Sequence, residues 1–143
     1  MMNIIICKIK YPNDPTNNLK PHQHFIGELD SDKLVLYSIS SVLCKEFKVF
    51  PKDCSVNPDY FLITGDNQRD CNLKVPSFID CTKAYKVNLT EEIDINKLSN
   101  RKIPEKIRAS IVEKIEEIKR KGKHTEYSIS TKEFIMNNPR SKK

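Results

Sequence analysis

The sequence predicts a small α+β protein that is mostly β. The expected form is a small barrel or a strongly bent antiparallel sheet, with a C-terminal amphipathic helix over about residues 104–121 and a short final helix. Three observations lead there. Short apolar runs bounded by Pro, Gly, Asn or Asp recur through the first 90 residues, five to seven in all. Apolar spacing of helical period begins only after residue 103. The 143 residues carry 38% hydrophobic and 31% charged side chains, a globular mixture at the usual size of one domain. With no internal linker, residues 1–136 read as a single barrel-plus-helix domain and residues 137–143 as a basic flexible tail.

The elements follow in order. Met1-Met2-Asn3-Ile4-Ile5-Ile6-Cys7 reads as a first strand. It is far too short to span a membrane, and it lacks the basic start and cleavage site of a signal peptide. Residues 11–21 form a loop, because three prolines and four Asn/Asp residues exclude helix and continuous strand. Residues 24–29 and 33–40 make a hairpin about Asp30-Ser31-Asp32. Leu34, Leu36 and Ser38 share one face of its second strand, and Val35, Tyr37 and Ile39 the other. Gly27 inside the first strand marks a bulge or a close backbone contact.

Residues 45–56 are mixed, with Phe47, Val49 and Phe50 in a short strand. Residues 60–64 form a buried strand, residues 65–68 a turn, and residues 77–81 and 84–89 two further strands. Pro104 suits the first helical position. Ile107, Ile111, Ile115 and Ile118 then draw one narrow apolar stripe. Gly122 stands where a C-terminal cap belongs. Ser130-Thr131-Lys132-Glu133 fits a capping box for the short last helix, which Asn138-Pro139 stops.

Charge narrows the function classes. The net charge is +6, but residues 1–96 hold a net of −2 and residues 97–143 a net of +8. Such asymmetry suits a polyanionic partner, nucleic acid or an acidic protein, or a solvated basic surface. Arg108 and Lys119 flank the isoleucine stripe on one side, and Lys114 and Lys121 on the other, so their charges can reach a phosphate while their stems cover apolar surface. Five cysteines, an odd number with no Cys-x-x-Cys pair, argue against a disulfide framework or a zinc ribbon and for reduced thiols in the cytoplasm. Three glycines leave no phosphate-binding glycine loop, and neither His-Glu-x-x-His nor Gly-x-Ser-x-Gly occurs.

Two polar clusters remain. In Lys20-Pro21-His22-Gln23-His24 the histidines point the same way along a strand. They suit acid/base work or phosphate contact; a metal would need a third ligand that the sequence does not place nearby; an ordinary solvated strand start is the plain alternative. Ser38-Ile39-Ser40-Ser41 offers hydroxyls that could orient a phosphate or ribose, or simply close a turn.

The stretch from Pro21 to Ser41 resembles the second and third strands of the MazF/PemK-like toxin superfamily, including its ToxN-type branch. The shared pattern is a basic residue before proline (Lys20-Pro21), an apolar strand (His24-Phe25-Ile26-Gly27-Glu28-Leu29), a turn, a second strand from Lys33 to Ile39, and the hydroxyl end Ser40-Ser41. Leu73-Lys74-Val75-Pro76-Ser77-Phe78-Ile79-Asp80-Cys81 resembles a later strand of the family, and the isoleucine helix matches its C-terminal helix in place. The resemblance implies an SH3-like barrel, often homodimeric, with no cofactor and no metal. It implies an endoribonuclease that cuts single-stranded RNA by 2′-hydroxyl attack and is held by a cognate antitoxin, protein or RNA. Lys20, His22, His24 and Ser40 are then the catalytic candidates. Ser41, Lys45, Arg108, Lys114, Lys119 and Lys121 are the RNA-contact candidates. Ser40 stands where the family has Thr and Lys20 where it has Arg, so the phosphate would meet a point charge instead of a fork. A noncatalytic module binding RNA or an acidic protein is the alternative.

Overall fold

The computed structural model describes residues 2–16, 18–52 and 55–143. Met1, Asn17, Asp53 and Cys54, which fall in the expected first strand, the proline-containing loop and the 45–56 segment, lie outside the described residues. The elements are β1 (Ile4–Cys7), β2 (His22–Leu29), β3 (Lys33–Ser41), α1 (Glu46–Val49), β4 (Tyr60–Ile63), α2 (Gly65–Asp70), β5 (Ser77–Asp80), β6 (Lys83–Asn88), β7 (Asn100–Arg101), α3 (Glu105–Arg120), β8 (Thr125–Ile129) and α4 (Thr131–Asn137). The fold is therefore α+β, with a β-rich and mostly antiparallel sheet. Among the described residues no helix is long and apolar enough to cross a membrane.

β3 organises the sheet. One edge pairs with β2, which is followed outward by β1 and β7. The other edge is shared: residues 33–36 pair with β6 and residues 39–41 with β5. β5 and β6 thus lie in one lane, broken where the Asp80 carboxylate accepts from Thr82 N at 3.0 Å and Thr82 Oγ1 at 2.5 Å. β4 extends the β5 side, and β8 joins β6 in parallel, the one such pairing among the described residues. Among the described residues β4, β7 and β8 each pair along one edge only, so the sheet stays open.

The two faces are covered unequally. On one, α3 lays Ile107, Ile111, Ile115 and Ile118 on Phe25, Tyr37, Ile39, Ile63 and Ile79. On the other, α4 brings Phe134 onto Leu34, Leu36, Tyr85 and Val87. The inward residues turn polar past Leu36, at Ser38 and Ser40, and there the second face is uncovered.

Local chemistry explains the ends. The helix expected over 104–121 spans Glu105–Arg120, with Pro104 and Lys121 flanking it. Gly122 adopts φ +68°; its N–H reaches Lys119 O at 3.0 Å and the Lys123 N–H reaches Ile118 O at 3.2 Å, a complete Schellman stop. Ser130 Oγ accepts from Glu133 N at 3.1 Å and caps α4. At Gly27 the β2–β3 register shifts, and a Cβ there would stand 2.5 Å from Tyr37 Cε1.

Three expectations change. Residues 65–68 belong to the helix α2 instead of a turn, and the short strand expected around Phe47 is the single helical turn α1. β8 was not anticipated. Residues 137–143, expected as a flexible tail, fold back: Ser141 is fully buried, Asp94 N reaches Ser141 O at 2.7 Å, and Lys143 N reaches Glu92 O at 2.8 Å. The buried Asn138 side chain bonds both backbone groups of Lys8, at 2.7 and 2.9 Å, and so extends the β1 edge.

Candidate functional site

The uncovered end of β3 floors a cleft of about 560 Å³. Strand alternation sends Ser38 and Ser40 into it while Ile39 and Tyr37 face α3. The same alternation supplies Phe78 and Asp80 from β5, Tyr60 from β4, and Lys83 and Tyr85 from β6. Lys45 and Lys48 come from the α1 turn, and His22 and Tyr11 from the opposite rim. Tyr60 and Phe78 stack at 4.7 Å, and Tyr85 meets Tyr11 edge-on at 4.9 Å.

The cleft is cationic and rich in hydroxyls. Lys83 stands 3.9 Å from Asp80, whereas Lys45 and Lys48 have no ion-pair partner among the described residues. Partial burial and then the positive charges of Lys45 and Lys20 hold the His22 imidazolium below its ordinary pKa, against the opposing pull of Asp14. At neutral pH His22 is therefore a neutral base facing the cleft. Ser41 Oγ accepts from Leu43 N at 3.1 Å and fixes the turn after β3.

The other candidate positions scatter. Lys20 lies in an adjoining hollow, whose wall also includes His22, Tyr11 and Thr16. His24 follows His22 on the same face but has no exposed surface. It is enclosed between Cys7 Sγ, 3.6 Å from Nδ1, and the Tyr11 hydroxyl, 2.5 Å from Nε2. Burial pushes its pKa down to about 3. His22 and Ser40 thus share a cleft, and His24 lies behind it, out of a ligand's reach.

Arg108, Lys114 and Lys119 sit on α3 and Lys121 at its C-terminal cap, across the sheet from the cleft. Each pairs with a glutamate of its own helix: Arg108 with Glu105 at 2.5 Å, Lys114 and Lys121 with Glu117 at 3.8 and 3.0 Å, and Lys119 with Glu116 at 3.6 Å. Lys114 Nζ also donates to Pro58 O at 3.0 Å. These side chains are engaged on the helix surface instead of joining Lys45 at the site.

Tyr11, Lys48, Asp80, Lys83 and Tyr85 were not singled out from sequence. The i, i+2 spacing of Lys83 and Tyr85, which puts both on one strand face, was a signal that gains meaning only once β6 is placed against β3. Among the described residues no three His, Cys, Asp or Glu side chains gather as a metal-binding group. No family model, no curated protein and no solved structure matches this chain.

Proposed function

We propose that the cleft on the uncovered face of β3 binds single-stranded RNA and cleaves it, as a toxin-type endoribonuclease, through attack of a ribose 2′-hydroxyl on its own phosphodiester. The observation that supports this best is the company around one hollow: a neutral imidazole, two inward serines, three lysines and a group of tyrosines. Each has a task. His22 takes the 2′-hydroxyl proton. Lys45, Lys48 and Lys83 stabilise charge building on the phosphoryl oxygens. Ser38 and Ser40 orient the phosphate by hydrogen bonds, and Tyr60 offers an aromatic edge to a base. The products would carry a 2′,3′-cyclic phosphate and a 5′-hydroxyl.

The resemblance to MazF/PemK-like toxins supports the same reading. On it, the open sheet is an opened form of the SH3-like barrel, the protein acts in the cytoplasm as a homodimer, and a protein or RNA antitoxin covers the lysine-rich cleft.

The test is incubation of the purified protein with mixed-sequence single-stranded RNA in EDTA, with the end groups mapped. Cyclic phosphate and 5′-hydroxyl ends are expected, with a loss of about 100-fold or more in His22→Ala. Salt-sensitive binding without cleavage would make the cleft a noncatalytic RNA-binding site. Neither binding nor cleavage would end the RNA reading.

A further inference from the structure

RNA cleavage in this cleft needs an acid for the departing 5′-oxygen, and none of the groups assigned above supplies one. We infer that Tyr11 donates that proton and that the buried His24 is the positioning residue that aims it. The inference rests on the proposed RNA-cleaving role of the cleft.

Its support is geometric. Tyr11 lines the cleft, and its hydroxyl stands 3.4 Å from Ser38 Oγ. The same oxygen is 2.5 Å from His24 Nε2, and His24 Nδ1 is 3.6 Å from Cys7 Sγ. A histidine with no exposed surface is engaged at both ring nitrogens, and one of its two partners is Tyr11, which lines the cleft. Tyr85 braces the Tyr11 ring from the side at 4.9 Å, so both the ring and the hydroxyl are held.

The proposed step uses the His24 tautomer that carries its proton on Nε2. With the Tyr11 O–H directed at Ser38, the Tyr11 oxygen accepts from His24 Nε2–H, and His24 Nδ1 accepts from the Cys7 thiol. This tautomer leaves the Tyr11 proton as the one the chain presents to the cleft. Burial raises the Tyr11 pKa to about 12, so the proton is in place at neutral pH. An alkoxide is a stronger base than a phenolate, so the transfer runs downhill as the bond breaks.

The step balances. The bond from the 2′-oxygen to phosphorus forms, and the bond from phosphorus to the 5′-oxygen breaks with its electron pair on oxygen. His22 gains the 2′-hydroxyl proton, and the 5′-oxygen gains the Tyr11 proton. The phenolate keeps its hydrogen bond from His24. Once product leaves, water carries the proton from His22 back to Tyr11.

The experiment uses an RNA whose scissile 5′-oxygen is replaced by sulfur, since a thiolate leaves without protonation. Tyr11→Phe is expected to slow cleavage of ordinary RNA by about 100-fold or more while cutting the 5′-thio substrate at the wild-type rate. His24→Asn, whose amide falls short of the Nε2 position, should show the same rescue. His24→Gln, whose amide reaches it, should lose less than about tenfold. A folded Tyr11→Phe that cuts ordinary RNA normally, or that loses equally on both substrates, overturns this inference and leaves cleavage by the cleft standing. Wild-type protein that cuts neither substrate overturns both.

Discussion

Two residues apart on β2, His22 faces Lys45 and Lys20 at the cleft mouth, while His24 has Cys7 and Tyr11 around its ring nitrogens. The contrast gives a prediction at the scale of one charge. Partial burial lowers the His22 pKa first, and Lys45 adds to the effect by repelling the imidazolium. Lys45→Gln removes that repulsion, so the His22 pKa should rise toward its ordinary value. A titration of the imidazole protons by NMR reads this directly, and an unmoved His22 would refute it. On the proposed mechanism, the acid limb of the cleavage profile should move to higher pH with it, because a general base works above its own pKa. Sequence alone paired the two histidines because period 2 puts both on one face. It could not tell them apart, since exposure depends on Tyr11, which closes over His24 from a loop thirteen positions earlier. Ser40 and Lys45 were legible because they follow one another along β3 and the turn after it. Lys83 and Tyr85 were not, because only the pairing of β6 with β3 brings them there.

At the scale of elements, α3 was the most legible piece, since four isoleucines at helical spacing are a local signal with one reading. Ile111, 1% exposed, lies mid-stripe. Ile111→Ala should cost roughly 2–5 kcal/mol in urea unfolding, the usual cost of emptying a packed site. Two glycines should separate two mechanisms. Gly122 has φ +68° and open space where a Cβ would go, so Gly122→Ala should cost about 1 kcal/mol of backbone strain alone. Gly27 faces the Tyr37 ring, so Gly27→Ala is a steric change and should cost roughly 1–3 kcal/mol. Equal thermal midpoints for the wild type and Gly27→Ala would show that the ring yields freely. The short elements were read poorly for a physical reason. Phe47 looks like a strand core residue, yet α1 is one turn held by its own hydrogen bonds and leaves Phe47 69% exposed. β8 has only Tyr127 and Ile129 to mark it, and its parallel partner lies some forty residues back.

For the whole molecule, acid is the expected weakness. The buried His24 takes up a proton only near pH 3 in the folded state, whereas the unfolded chain takes it up near 6.5. Between those values the unfolded state binds more protons, so stability is complete above about pH 6.5 and falls as the pH drops toward 3. The slope should approach about 1.4 kcal/mol per pH unit, and the lowered pKa values of His22 and His124 act in the same direction. Urea midpoints between pH 7 and pH 4 measure it. His24→Gln should flatten the curve, and an already flat wild-type curve would refute the account. Another whole-molecule property follows from β1. It sits between β2 and β7, pairing with Arg101 from 97 residues away. While the protein is being synthesised, β1 can pair with β2 at once but must wait for β7. The ribosome adds roughly 5–20 residues per second, so that interval lasts about 5–20 seconds. For that time one edge of Ile4-Ile5-Ile6 is uncovered in the nascent chain, an unpaired apolar strand open to pairing with a neighbouring chain.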